Sequence, residues 1–130
     1  MSNNAIKIIG NITWLVFGGV VVAVEYFIFS LVLMVTIIGI PFSFQTLKLA
    51  YFALWPFGRT SVVKARTTGC IYTGMNIFWI LIGGIWIAIS HLVFGIILGI
   101  TIIGIPFGMQ HFKLATVALA PFGREVVPSQ

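Results

Sequence analysis

Two apolar blocks constrain this chain more than any other feature. Between Ile8 and Phe44 the only Asp, Glu, Lys or Arg is Glu25, and between Ile71 and Met109 there is none. One helical pass through a bilayer core needs roughly 20 apolar residues, so each block is too long for one pass and about right for two. The 130-residue chain is 7% charged, against about 25% in a soluble domain. A small globule has much surface for its volume and needs polar groups to cover it. A water-soluble monomer is therefore excluded. Backbone polar groups in lipid must pair internally, which favours helices, and runs that are apolar on every face do not fit the alternation of a β-barrel.

The chain is one unit written twice. Thr36-Ile37-Ile38-Gly39-Ile40-Pro41-Phe42 returns as Thr101-Ile102-Ile103-Gly104-Ile105-Pro106-Phe107. At the same offset Asn11, Trp14, Gly18 and Gly19 match Asn76, Trp79, Gly83 and Gly84. Gln45 and Lys48-Leu49-Ala50 match Gln110 and Lys113-Leu114-Ala115, and Pro56-Phe57-Gly58-Arg59 matches Pro121-Phe122-Gly123-Arg124. Shared hydrophobicity alone would not place Gln, Lys, Pro and Arg in register, so the chain divides into repeats at 1–65 and 66–130.

Each half reads as an apolar helix, a polar interruption at Glu25-Tyr26 or Ser90-His91, a second apolar helix, and an amphipathic segment after Pro41 or Pro106. Proline cannot donate to the helix ladder, so a helix break belongs at both positions. The expected fold is all-α and integral to the membrane. Four transmembrane helices form two tandem hairpins with interfacial segments. Lys7, Lys48, Arg59, Lys64, Arg66, Lys113 and Arg124 then share one side. The positive-inside bias makes that side cytoplasmic, with both termini inside and Arg59, Lys64, Arg66 and Arg124 as anchors. An even number of passes would make the repeats parallel, with a pseudo-twofold axis along the membrane normal. Glu25 would then sit solvated in an outer turn. Alternatively, Gly18-Gly19 could bend a shorter, re-entrant segment. Lys7 and the following apolar stretch imitate a signal peptide. Val22-Ala23-Val24 is a poor cleavage site, though, and the same pattern recurs internally, so the segment is read as mature protein.

The repeated Ile-Gly-Ile-Pro-Phe-x-x-Gln-x-x-Lys-Leu-Ala and the closing Pro-Phe-Gly-Arg resemble the YccF-type bacterial inner membrane component family. Both copies carry the full motif. The resemblance implies a small multi-pass protein of the bacterial inner membrane, and it supplies no reaction or catalytic residue.

Gln45 and Lys48, with Gln110 and Lys113, are the candidate functional residues. Residues three apart share a helix face, and both pairs follow a proline break at matching places in the two halves. They serve either a pore or anion path, or lysines that snorkel to lipid phosphates. Trp14 and Trp79 read as interfacial belt residues and Trp86 as helix packing. Gly95 and Gly99 form one G-x-x-x-G that permits close helix approach. His91 and His111 have no carboxylate neighbours and suggest no metal site. The single cysteine, Cys70, forms no disulfide within the chain.

No enzyme constellation is present, because the chain has no Asp and one Glu outside its tail, and no cofactor or metal is expected. The formal charge of +5 sits beside apolar blocks, which favours anionic lipid headgroups over nucleic acid. Four short helices enclose a site poorly, so a homo-oligomer is expected. Two functions stand open: an oligomeric path for a small ion, and a non-conducting scaffold of the envelope.

Overall fold

The computed structural model describes residues 2–64 and 70–128, with side chains from residue 4 onward. Each half follows one plan. Helix α1 (Ser2–Trp14) passes through a turn at Leu15–Gly19 into α2 (Val20–Val35), and a short turn leads into α3 (Ile40–Leu54) and strand β1 (Arg59–Val63). The second half repeats this as α4 (Cys70–Trp79), a turn at Ile80–Gly84, α5 (Ile85–Ile100), α6 (Ile105–Leu119) and β2 (Arg124–Pro128).

The repeated motifs are explained by what they build. In the turn before each proline, Thr36 is extended, with φ −81° and ψ 115°, and it stops α2. Its Oγ1 donates to Leu33 O at 2.7 Å, and Gly39 N donates to Thr36 O at 2.7 Å. A Cβ on Gly39 or Gly104 would collide with the preceding threonine hydroxyl and with the carbonyl of Leu33 or Leu98, so only glycine closes this turn. Pro41 and Pro106 then fall in the first turn of α3 and α6, where a missing N–H is harmless. At the other end of the hairpin, Asn11 brackets Phe57. Its Nδ2 donates to Phe57 O at 2.9 Å and its Oδ1 accepts from Phe57 N at 2.8 Å. Asn76 does the same to Phe122. Gly58 and Gly123, with φ of 97° and 90°, make the left-handed turn that leads into the strands.

Trp14 and Trp79 are corrected from their expected place in an interfacial belt. Both are fully buried, and their indole N–H groups donate to Ala53 O at 2.6 Å and Ala118 O at 2.9 Å. A Cβ on Gly19 or Gly84 would strike these rings, so the Gly-Gly pair makes room for a tryptophan folded beneath it. The helix widens there, with Val20 N reaching back to Leu15 O and Ile85 N to Ile80 O. Only the first half bends out of helical geometry, at Phe17 and at Gly18 with φ 115°. Trp86 is exposed instead of packed.

The hairpins also turn elsewhere than expected. Glu25 lies inside α2, and Ser90 and His91 lie inside α5, so neither marks a turn. The hairpins close at Thr36–Gly39 and Thr101–Gly104, and the segment after each proline is the return arm packed on α2 or α5. Among the described residues three helices, Asn4–Val35, Ile37–Leu54 and Cys70–Ile100, are long and apolar enough to cross a membrane. In the second hairpin a Cβ on Gly108 would strike the backbone of Gly95 and Gly99, and one on Gly95 would strike the Phe112 ring, so glycine at 95 and 108 lets α5 and α6 touch, whereas a Cβ on Gly99 would meet nothing. Strands had no place in the expected all-helical fold, yet β1 and β2 form an antiparallel ribbon with Ser61 opposite Val126.

A pseudo-twofold axis relates the halves. Ser61 and Val126 are equivalent positions of the repeat, and so are Glu25 and Ser90, which bond to each other. Phe57, beyond the end of α3, meets Phe107 at the start of α6, with ring centroids 5.6 Å apart. Phe42, at the start of α3, meets Phe122 beyond the end of α6 at 5.1 Å. The two return arms therefore run in opposite directions, and the axis crosses them. The core under the axis contains Trp14, Tyr26, Leu33, Leu49, Trp79 and Ile87, while large apolar side chains of every helix stay exposed on the outside. Such a surface belongs in lipid.

Candidate functional site

The polar side chains separate into those that hold the fold and those that remain available. Gln45 belongs to the first group. Its Nε2 donates to Arg124 O at 2.7 Å and Pro121 O at 3.1 Å, which ties α3 to the start of the ribbon in the other half. Arg59 folds back over the end of α3, where Nε and Nη2 donate to Trp55 O and Nη2 also reaches Tyr51 O at 3.2 Å. Arg124 does the same for α6, with Nε to Ala120 O at 2.7 Å. Each guanidinium caps a carbonyl just past a helix end, Trp55 O or Ala120 O.

Around these fixed groups lies a cavity of about 380 Å³ between α3 and the ribbon. Gln45, Lys48, Tyr51, Arg59, Lys64, Arg124 and Glu125 contribute its polar wall, with Val126, Val127 and Pro128 beside them. Four cations and one acid therefore share one hollow. The structure thus joins Gln45 and Lys48 with the anchor residues Arg59, Lys64 and Arg124. Gln110 is half-buried and Lys113 exposed on α6, outside this hollow. Arg66 lies outside the described residues. Pro41 lines a neighbouring cavity of about 290 Å³ with Gln45, Lys64 and Arg124, and Pro106 is exposed.

A second polar group lies in the core, and sequence reasoning did not assemble it. His111 Nε2 lies 2.9 Å from Phe17 O, beside the kink at Gly18. A carbonyl only accepts, so that nitrogen carries hydrogen. With neutral rings, His111 Nδ1 is then the acceptor for His91 Nδ1–H, at 2.9 Å. The Trp14 ring lies on His111 at a centroid distance of 4.1 Å. His91 and His111 occupy the positions of Tyr26 and Thr46 in the first half, so the repeat itself carried no signal that they meet. No group of three or more metal-ligating side chains occurs among the described residues. Cys70 is exposed and free.

The inner membrane component domain model of the YccF family matches twice, over residues 9–59 and 74–124. The chain is 33% identical to the inner membrane protein YccF of Escherichia coli K12 over 128 residues, covering 90% of this chain and 84% of that protein. The Shigella flexneri protein of the same name gives the same identity and coverage. No solved structure matches. The matched segments open just before the Asn-x-x-Trp of each half and end on Arg59 and Arg124, so each is one of the structural units just described. The chain belongs to the YccF family of inner membrane components and carries two copies of its domain.

Proposed function

We propose that the protein is a non-conducting structural component of the inner membrane, seated with its ribbon at the cytoplasmic headgroups. The observation that carries this reading is the use made of the polar residues near the axis. Gln45 is committed to two carbonyls of the other half, and Glu25 bonds to Ser90 across the axis. A polar lining for an ion path would need such groups turned toward an opening.

The seating follows from charge and length. Lys48, Arg59, Lys64 and Arg124 surround the ribbon-side cavity, and Lys7 packs on Gly58 beside it. Basic residues favour the cytoplasmic side, and with them both termini. The first arms belong to the 32- and 31-residue helices Asn4–Val35 and Cys70–Ile100, but the return arms α3 and α6 hold only 15 residues each, or about 22 Å at 1.5 Å per residue. A bilayer core is about 30 Å thick, and arms that cross the axis reach less deep than their length. The tips carry Ile37 and Ile38, 83% and 74% exposed, and Ile102 and Ile103, side chains suited to ending in lipid. The hairpins on this reading are re-entrant, dipping into the bilayer from one side.

Ion flux from proteoliposomes holding the purified chain tests the proposal. Anion and cation leakage should equal that of empty vesicles. A flux that the Lys48→Ala/Lys113→Ala double variant abolishes would replace this reading with an oligomeric pore.

A further inference from the structure

Two of the four cations around the ribbon-side cavity are arginines that cap helix ends. Arg59 and Arg124 are held rigidly by the helix ends they cap, and Arg124 Nη1 also reaches Ser61 Oγ at 3.4 Å. Their positive charge is therefore fixed in place before any ligand arrives. Lys48 and Lys64 are exposed at the same cavity and add two ammonium groups on long stems. Among the described residues four cations and one acid, Glu125, line the hollow, which gives it a positively charged wall suited to an anion. The second half does not reproduce the arrangement. Lys64 corresponds to Ser129 and Glu125 to Thr60, so the asymmetry is written into the sequence.

We propose that this cavity binds the phosphate ester of an anionic ligand, with Arg59 and Arg124 as the fixed wall and Lys48 and Lys64 closing over it. A hollow of about 380 Å³ falls in the size range of small-ligand sites. A phosphate group could come from an anionic lipid headgroup or from a soluble phosphate compound. The headgroup source rests on the seating proposed above, whereas the binding chemistry does not.

Equilibrium titration of the full chain in uncharged detergent tests this, because both faces are then open to ligand. The probes are mixed micelles containing phosphatidylglycerol, micelles with phosphatidylcholine only, inorganic phosphate and glycerol 3-phosphate. Saturable binding of phosphatidylglycerol over phosphatidylcholine identifies a headgroup site. Saturable binding of the water-soluble phosphates identifies a soluble ligand, and no binding of either overturns the proposal. Lys48→Gln should weaken binding about tenfold, whereas Lys113→Gln, the same charge change at the equivalent position of the other repeat and outside the cavity, should leave it unchanged. Equal losses in both would mean general surface charge and overturn the site. Glu125→Gln should tighten binding about fivefold and is independent of any folding defect in the lysine variant. Unchanged or weaker binding there overturns the proposal as well. If binding holds but labelling places the ribbon in the periplasm, the seating fails and the site stands.

Discussion

Glu25 and Ser90 stand at equivalent positions of the two repeats and bond to each other, Ser90 Oγ donating to Glu25 Oε2 at 2.9 Å. A duplicated chain often diverges most where its halves meet, because a residue facing its own copy must satisfy itself. Two glutamates here would place like charges together in a largely apolar core. A glutamate facing a hydroxyl gains a donor instead.

Ser90→Ala should therefore cost about 1–3 kcal/mol, since it leaves a half-buried carboxylate oxygen without its donor. Thermal unfolding in detergent reads this directly. Ser90→Thr, which keeps the hydroxyl, should remain closer to the parent, and equal losses in the two variants would mean the bond contributes little.

Gly18 and Gly99 should respond oppositely to alanine. Gly18 has φ 115°, and a Cβ there would lie 2.9 Å from the Phe94 ring. Gly18→Ala should destabilise by about 1–3 kcal/mol through backbone strain and overlap. An added Cβ on Gly99 meets nothing within 4 Å, so Gly99→Ala should be neutral or slightly stabilising in the same melt.

Trp14→Phe and Trp79→Phe should each cost about 1–3 kcal/mol, because each strands a carbonyl, Ala53 O or Ala118 O, that the indole N–H satisfies. Belt tryptophans exposed at an interface would tolerate phenylalanine with little loss. Similar melting shifts in the two variants would show that the two halves use the residue alike.

Sidedness is open to cysteine labelling in a Cys70→Ser background. A cysteine at Lys64 should react from the cytoplasmic side only. Cysteines at Ile38 and Ile103 should resist a water-soluble reagent from either side, because the tips end in lipid. Reaction at the tips from the periplasm would make the hairpins span the membrane, and reaction at Lys64 from that side would reverse the seating.

The duplication and the lipid environment were legible in the chain because each is a local pattern: identity at one offset and long runs without charge. Pro41 and Pro106 marked only the neighbourhood of a break, since the preceding helices stop at Thr36 and Thr101 and the prolines open the next ones. The repeated Asn, Trp and Arg could be seen as a motif, but their work could not. Asn11 holds Phe57, Trp14 holds Ala53 and Arg59 caps α3, contacts that only a folded hairpin brings together. Glu25 looked like a turn residue because a charge in an apolar run is expected at its end. Its partner is 65 positions away and comes near only when the halves pack.

Sequence by itself determined what the chain is made of and where it lives, since hydropathy and internal identity need no partner to be read. Tertiary structure decided how the halves meet. The ribbon, the antiparallel return arms, the histidine pair and the basic cavity all join residues from different elements, most of them across the two repeats. A pattern along one dimension carries no information about which of two identical units faces which way. That choice depends on complementary shape and on buried polar groups finding donors, and both exist only once the chain is packed.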